Sequence, residues 1–162
     1  MKLTSSAILD GERMDSKYTV EGDDISPPLS WSDVPAGTLS LALICDDPDA
    51  PSPARPAADP WVHWVLFNIP PDVTELPPGI EPTEMPRQVP DARQGGNSWP
   101  SENMGYRGPA PPPGSGEHRY VFQIFALDAR LDLQAGASKH QLVQAMSGHI
   151  LAEGRLIGKY AR

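Results

Sequence analysis

At 162 residues the chain is long enough for one hydrophobic core and short for two, so a single domain over residues 1–162 is expected. Its formal net charge of -8, with no cluster of Lys and Arg, excludes nucleic acid as a partner, because even non-specific binding needs a basic footprint to displace counterions. Its 20 prolines argue against a helical bundle, its one cysteine, Cys45, excludes an internal disulfide, and no run approaches the roughly 20 apolar residues of a membrane span. Met1–Asp15 also lacks a signal-peptide pattern, and a soluble cytoplasmic protein is expected.

In chain order, Lys2–Leu9 and Lys17–Val20 are short, mixed segments that fit edge strands. Glu21–Trp31 reads as a loop fixed by Pro27 and Pro28 and anchored by Leu29 and Trp31. Leu39–Cys45 is apolar on both parities, as a central strand covered on two faces should be, and Val62–Ile69 and Tyr120–Leu127 behave alike. Between them lie the long loops Pro48–Pro60 and Pro70–Gly116; prolines limit the second to a helical turn or a short extra strand. Ser138–Ser147 predicts the one helix, capped by Ser138, striped by Leu142, Val143 and Met146, and stopped by Gly148. A last strand is expected from about Gly154.

Alternation places Trp61 and His63 on one face of their strand, and His118 and Tyr120 on one face of theirs. The first apolar run carries Leu39, Leu41, Leu43 and Cys45 on one parity, which continues into Asp47 and Asp49. If that strand is antiparallel to the other two, Asp47, Asp49, His63 and His118 meet at one rim, the outline of a pocket for a polar, anionic group. An acid beside an imidazole raises its pKa, so His63 or His118 is expected to be protonated near neutrality and to donate to an oxyanion, with Asp as the organiser. Gly105–Gly114, glycine-bearing and proline-stiffened, is the candidate pocket wall; a rigid spacer and a PxxP peptide are the other readings. His140 reads as solvated and His149 as locally bonded, while Trp31, Trp64 and Trp99 read as core or loop anchors. Arg119 alternates away from His118 and is not counted as an anion clamp.

Asp23–Trp31, Asp46-Asp47-Pro48-Asp49-Ala50-Pro51, Trp61-Val62-His63-Trp64, Gly105–Pro113, His118-Arg119-Tyr120 and Gly158-Lys159-Tyr160 stand in an order that resembles the phosphatidylethanolamine-binding protein family, in its bacterial and archaeal Raf-kinase-inhibitor-like branch. The resemblance implies a mainly β, Greek-key fold with a large central antiparallel sheet, a smaller sheet and a peripheral short helix. It further implies a shallow pocket for phosphate-like or carboxylate anions, phospholipid head groups such as phosphoethanolamine included. By motif position, Asp47, Trp61, His63, His118 and Tyr120 line this pocket, Asp49 supports it, and Tyr106, Gly108 and Pro109 form the adjoining wall. A homodimer, and kinases or proteases as regulated partners, are also implied. Ala110, where bacterial relatives commonly carry cysteine, and Gly154, where a small non-glycine residue is usual, depart from the pattern.

The leading functional expectation is therefore a non-catalytic binding protein without cofactor or metal. The alternative is a phosphoester-acting or metal-dependent enzyme using His63, His118 and Asp47 as acid and base or as a two-His, one-carboxylate site. No nucleophile flanked by a base is evident in the sequence.

Overall fold

An apolar run with no polar parity has no face to give to water, and it takes the middle of a sheet. In the computed structural model, which describes all 162 residues, the strands are β1 (Lys2–Thr4), β2 (Leu29–Ser32), β3 (Ser40–Asp47), β4 (Trp61–Ile69), β5 (Glu75–Leu76), β6 (Arg93–Gln94), β7 (His118–Leu127) and β8 (Ile150–Tyr160), with helix α1 (Lys139–Met146) between the last two. Every residue of β3 is buried. It lies between β4 and β7, antiparallel to both, in a five-stranded sheet of order β6-β4-β3-β7-β8; β1, β2 and β5 form a three-stranded sheet of order β1-β2-β5.

The two sheets enclose one core, in which Leu3, Leu29, Trp31 and Leu76 meet Leu41, Leu43, Cys45, Trp64, Leu66, Phe122 and Ile124. The opposite face of the large sheet, through Ala42, Ile44, Val65, Phe67 and Phe125, packs under Leu142 and Met146 of α1. Ser138 caps that helix by accepting from Gln141 N–H, and the Gln141 side chain returns a bond to the Ser138 N–H, a reciprocal cap that satisfies two otherwise unpaired donors. The fold is thus mainly β, with a larger and a smaller antiparallel sheet and a single short helix, as expected.

Several local expectations give way. Lys17–Val20 is not a strand: Ser16–Tyr18 is a 3-10 turn capped by the Asp15 side chain, because short-range bonds from Asp15 and Thr19 outcompete extension. The first strand ends at Thr4 rather than Leu9. Leu29 and Trp31 anchor their segment as part of β2, paired on both sides. Leu39 lies outside β3 and is exposed, and Val143 points away from the helix's buried stripe. The last strand begins at Ile150, where Leu127 of the long β7 offers it a partner. Within it, Gly154 admits a crossing backbone: a Cβ there would meet the Met1 carbonyl oxygen at 3.0 Å and Leu3 N at 3.2 Å.

Strand β4 is irregular at two points. Leu41 pairs with Ile69 and Leu43 with Leu66, so Phe67 and Asn68 oppose Ala42 alone. Cys45 pairs with Trp64 but Asp46 with Val62, which leaves His63 as an extra residue. At the first bulge Asn68 adopts a left-handed φ of 54° and turns its amide onto the backbone of Leu131, donating at 2.9 Å and accepting at 2.8 Å. Asn68→Ala strands both Leu131 groups and keeps a conformation that alanine disfavours; a loss of about 2–4 kcal/mol is expected, read by denaturant unfolding.

Candidate functional site

The second bulge decides which side chains share a cavity. Trp64 and Leu66 face the core between the sheets, whereas Val65 and Phe67 face α1. Unbroken alternation would send His63 to the helix side with Val65. The extra residue instead leaves Val62 on the helix side and brings His63 and Trp61 to the side of Asp47, His118 and Tyr120. These five line a cavity of about 440 Å³, together with Ala50, Pro51, Ala57, Asp59, Trp99, Ala110, Pro111 and Pro112. Prolines and alanines make its walls, and the polar groups lie at its floor.

At the floor most hydrogen-bonding capacity is already spent. His118 places Nδ1 2.7 Å from Asp47 Oδ2 and Nε2 2.9 Å from Ser115 Oγ, with its side chain fully buried. The other Asp47 oxygen accepts from Asp49 N–H at 2.7 Å. Burial lifts the Asp47 carboxyl above its ordinary value, against the opposing pull of the His118 hydrogen bond. His63 Nδ1 lies 2.6 Å from the Arg107 carbonyl oxygen, and since a carbonyl only accepts, Nδ1 carries the proton. Burial holds this imidazole down to about 4 although the Arg107 and Gly108 carbonyls pull the other way. His63 is therefore neutral near pH 7, because it is desolvated and Asp47 pairs with His118 instead, so of the two imidazoles offered for the charged role His63 is excluded. Tyr120 is 1 % exposed, and its hydroxyl has no hydrogen-bond partner in the protein. Burial pushes its pKa up, so the hydroxyl stays protonated.

Other residues singled out in the sequence sit beside the cavity rather than in it. Asp49 does not join the rim; Pro48 ends the alternation, and Asp49 turns to Arg119, accepting from its backbone N–H at 2.8 Å and from its guanidinium at 2.9 and 3.0 Å. That pairing holds the Asp49 carboxyl below its usual range. Tyr106, Gly108 and Pro109 lie behind the wall, whose cavity face is Ala110, Pro111 and Pro112. Tyr106 Oη donates to the Tyr18 carbonyl at 2.6 Å, Gly108 N–H donates to Asp24 at 2.7 Å, and the Pro109 carbonyl accepts from Val20 N–H at 3.0 Å. These residues fix the loop to the Ser16–Asp24 segment. Trp99, which the sequence offers only as a core or loop anchor, lines the cavity, and Ser115, not singled out in the sequence, bonds to its floor. Trp99 enters the cavity from a loop without periodicity, its ring 5.4 Å from that of Trp61 and 5.1 Å from that of His63, edge-on to both. Ser115, His118 and Asp47 stand in the order of a hydrolase relay, which only the Gly-Ser-Gly turn before His118 hinted at; Ser115 itself does not line the cavity, so a group bound there does not meet its oxygen. His140 is exposed, and His149 pairs with Asp128 at 2.8 Å on the surface.

A methyl group at Gly108 would press on the Tyr18 carbonyl oxygen and lie 2.7 Å from Asp24 Oδ1. Gly108→Ala is expected to cost about 1–3 kcal/mol and to loosen the cavity wall, measured by unfolding and by hydrogen exchange across residues 106–112. His63 carries a pH signature. Between about 4 and the ordinary imidazole value near 6.5, the unfolded chain takes up a proton that the folded chain refuses. The stability contributed by neutral His63 is complete above pH 6.5 and is lost as pH falls toward 4. Between pH 7 and pH 4.5 the wild type should lose about 2–3 kcal/mol more than His63→Phe in parallel denaturant titrations.

The chain matches the family model "Phosphatidylethanolamine-binding protein" over residues 4–161. It is 51% identical over 163 aligned residues to a UPF0098 protein of Methanothermobacter thermautotrophicus, with 100% of this chain and 99% of that one covered. Among solved structures, the Chlamydia trachomatis homologue CT736 aligns at 40% identity and a TM-score of 0.85, covering 99% of this chain and 97% of its own. Escherichia coli YbcL aligns at 30% identity and a TM-score of 0.87, with coverage of 99% and 98%. This protein therefore belongs to the phosphatidylethanolamine-binding protein family.

Proposed function

We propose that the protein is a non-catalytic binding module whose cavity takes a small phosphate-like or carboxylate group, phosphoethanolamine among them. The observation that carries this reading is Tyr120, which lines the cavity and whose buried hydroxyl has no partner in the protein. A buried donor left unpaired costs about 1–3 kcal/mol, and an oxygen-rich ligand removes that cost on entry. The walls support the same reading. Trp61, Trp99, Pro51, Pro111 and Pro112 offer apolar surface to the organic part of a ligand, and the loop bonds already formed lower the ordering cost of binding. The proposal extends to the Raf-kinase-inhibitor-like assignment, to a cytoplasmic homodimer, and to a kinase or protease partner meeting the cavity mouth, where Trp61 is 39% exposed.

Phosphate, phosphoethanolamine and acetate are the first ligands to test, by calorimetry and thermal unfolding at fixed ionic strength. A ligand at 100 times its Kd stabilises by about 2.7 kcal/mol. Tyr120→Phe should weaken binding by about 3–10-fold while leaving the fold intact. No heat and no shift from any of the three would remove this reading.

A further inference from the structure

Resting on the reading just given, the structure assigns a stricter specificity: we infer that the cavity selects an oxyacid group that still carries one proton, a hydrogen phosphate monoester foremost, over an oxyanion of the same shape and charge that carries none. The inference comes from counting what the floor has left to offer. Both nitrogens of His118 and both oxygens of Asp47 are engaged within the protein. Two groups remain. Tyr120 presents an unpartnered hydroxyl donor, and His63, whose Nδ1 proton is given to the Arg107 carbonyl, presents the bare Nε2 as an acceptor. The two rings stand edge-on with centroids 5.1 Å apart, and both residues line the same cavity. A fully ionised oxyanion has acceptors only; it would satisfy Tyr120 and set an oxygen lone pair against the lone pair of His63 Nε2. A P–O–H group satisfies both at once.

The surrounding charge points the same way. No Lys or Arg side chain lines the cavity, and the charged side chains that do are Asp47 and Asp59. The groups bearing on His63 and Tyr120 are Asp47 from β3, Asp49 just beyond it, His118 from β7, the Arg107 backbone and the buried Cys45 thiol, with exposed Asp59 elsewhere in the lining. Arg162 lies outside the lining and bears on Tyr120 while its guanidinium donates to the Ala110 and Pro111 carbonyls, so its charge favours anions of either kind. A dianion therefore meets acidic side chains with no Lys or Arg in the lining to offset them, whereas a monoanion carries half that charge and brings a proton for the His63 acceptor. Burial keeps His63 neutral well below the pH at which phosphate esters pick up their second proton, so the acceptor persists through that range.

Methyl phosphate and methyl sulfate test this directly. At pH 5 both are monoanions of one shape that differ by a proton. Calorimetry on the full chain should show methyl phosphate binding at least about tenfold tighter. Its affinity should then fall about tenfold per pH unit above its second pKa, about 6. Methylphosphonate, which keeps its second proton to higher pH, separates ligand from protein titration, because its decline should be displaced upward. His63→Phe should erase the preference between phosphate and sulfate esters, while Tyr120→Phe should weaken both and keep it. Equal binding of the two esters, or declines at the same pH for methyl phosphate and methylphosphonate, overturns the inference and leaves an oxyanion-binding cavity standing. Absence of binding by every probe at every pH overturns the underlying reading as well. The wild-type pH series decides the matter even if His63→Phe does not fold.

Discussion

One extra residue in β4 determines what the cavity contains. The ladder with β3 runs in register from Leu43–Leu66 to Cys45–Trp64 and then steps past His63 to Asp46–Val62. Trp64 fills the inter-sheet core, fully buried, with its indole N–H bonded to Gln94 at 2.7 Å. A regular strand cannot bury that indole on one side and present the next imidazole on the same side. The bulge permits both, and the backbone of Arg107 makes it secure: its N–H donates to the His63 carbonyl at 3.0 Å while its own carbonyl receives the His63 ring proton. Core packing and the orientation of the imidazole are thus set by the same step in the ladder, which is why bulges recur where a strand must re-aim a side chain.

The end of β3 shows how buried acids are made tolerable. Asp46, Asp47 and Asp49 lie close together in the chain, and each is matched by a different side chain: Asp46 with Lys139 of α1, Asp47 with His118 of β7, and Asp49 with Arg119 of that same strand. A carboxylate removed from water without a partner is costly, and three neighbours would also repel one another. Distributing them among three partner side chains offsets the cost and ties the helix and β7 to the rim of the cavity. It also leaves little electrostatic attraction for a ligand, so recognition falls to directed hydrogen bonds and to the aromatic and proline walls.

Much of this was legible in the sequence where the physics is local. The parity of Leu41, Leu43, Cys45 and Asp47, the Trp61–His63 and His118–Tyr120 pairs, and the Ser138 cap each follow from a spacing of two to four residues. Where the outcome depends on residues distant in the chain, the pattern is silent. Asp49 was extrapolated along a strand that Pro48 terminates, and its true partner lies 70 positions away. The strand pattern brings His63 toward acids, yet its environment is set by burial and by a carbonyl 44 positions on. Trp99 comes from a segment with no period to read, and the register step at His63 has no signature in composition. Tyr106 and Gly108 belong to the loop that walls the cavity but fasten its outer side, since nothing local distinguishes the residues that fasten a loop from those that face a ligand.

The placement of the aromatic residues gives the molecule a built-in optical reporter. Of its four tryptophans, Trp31 and Trp64 are sealed in the core and Trp61 and Trp99 stand in the cavity, with the Arg107 guanidinium 4.9 Å over the Trp99 ring. Two chromophores thus sense occupancy while two serve as an internal reference insensitive to it. Intrinsic emission can therefore follow a guest molecule's arrival in real time, without label or engineered probe.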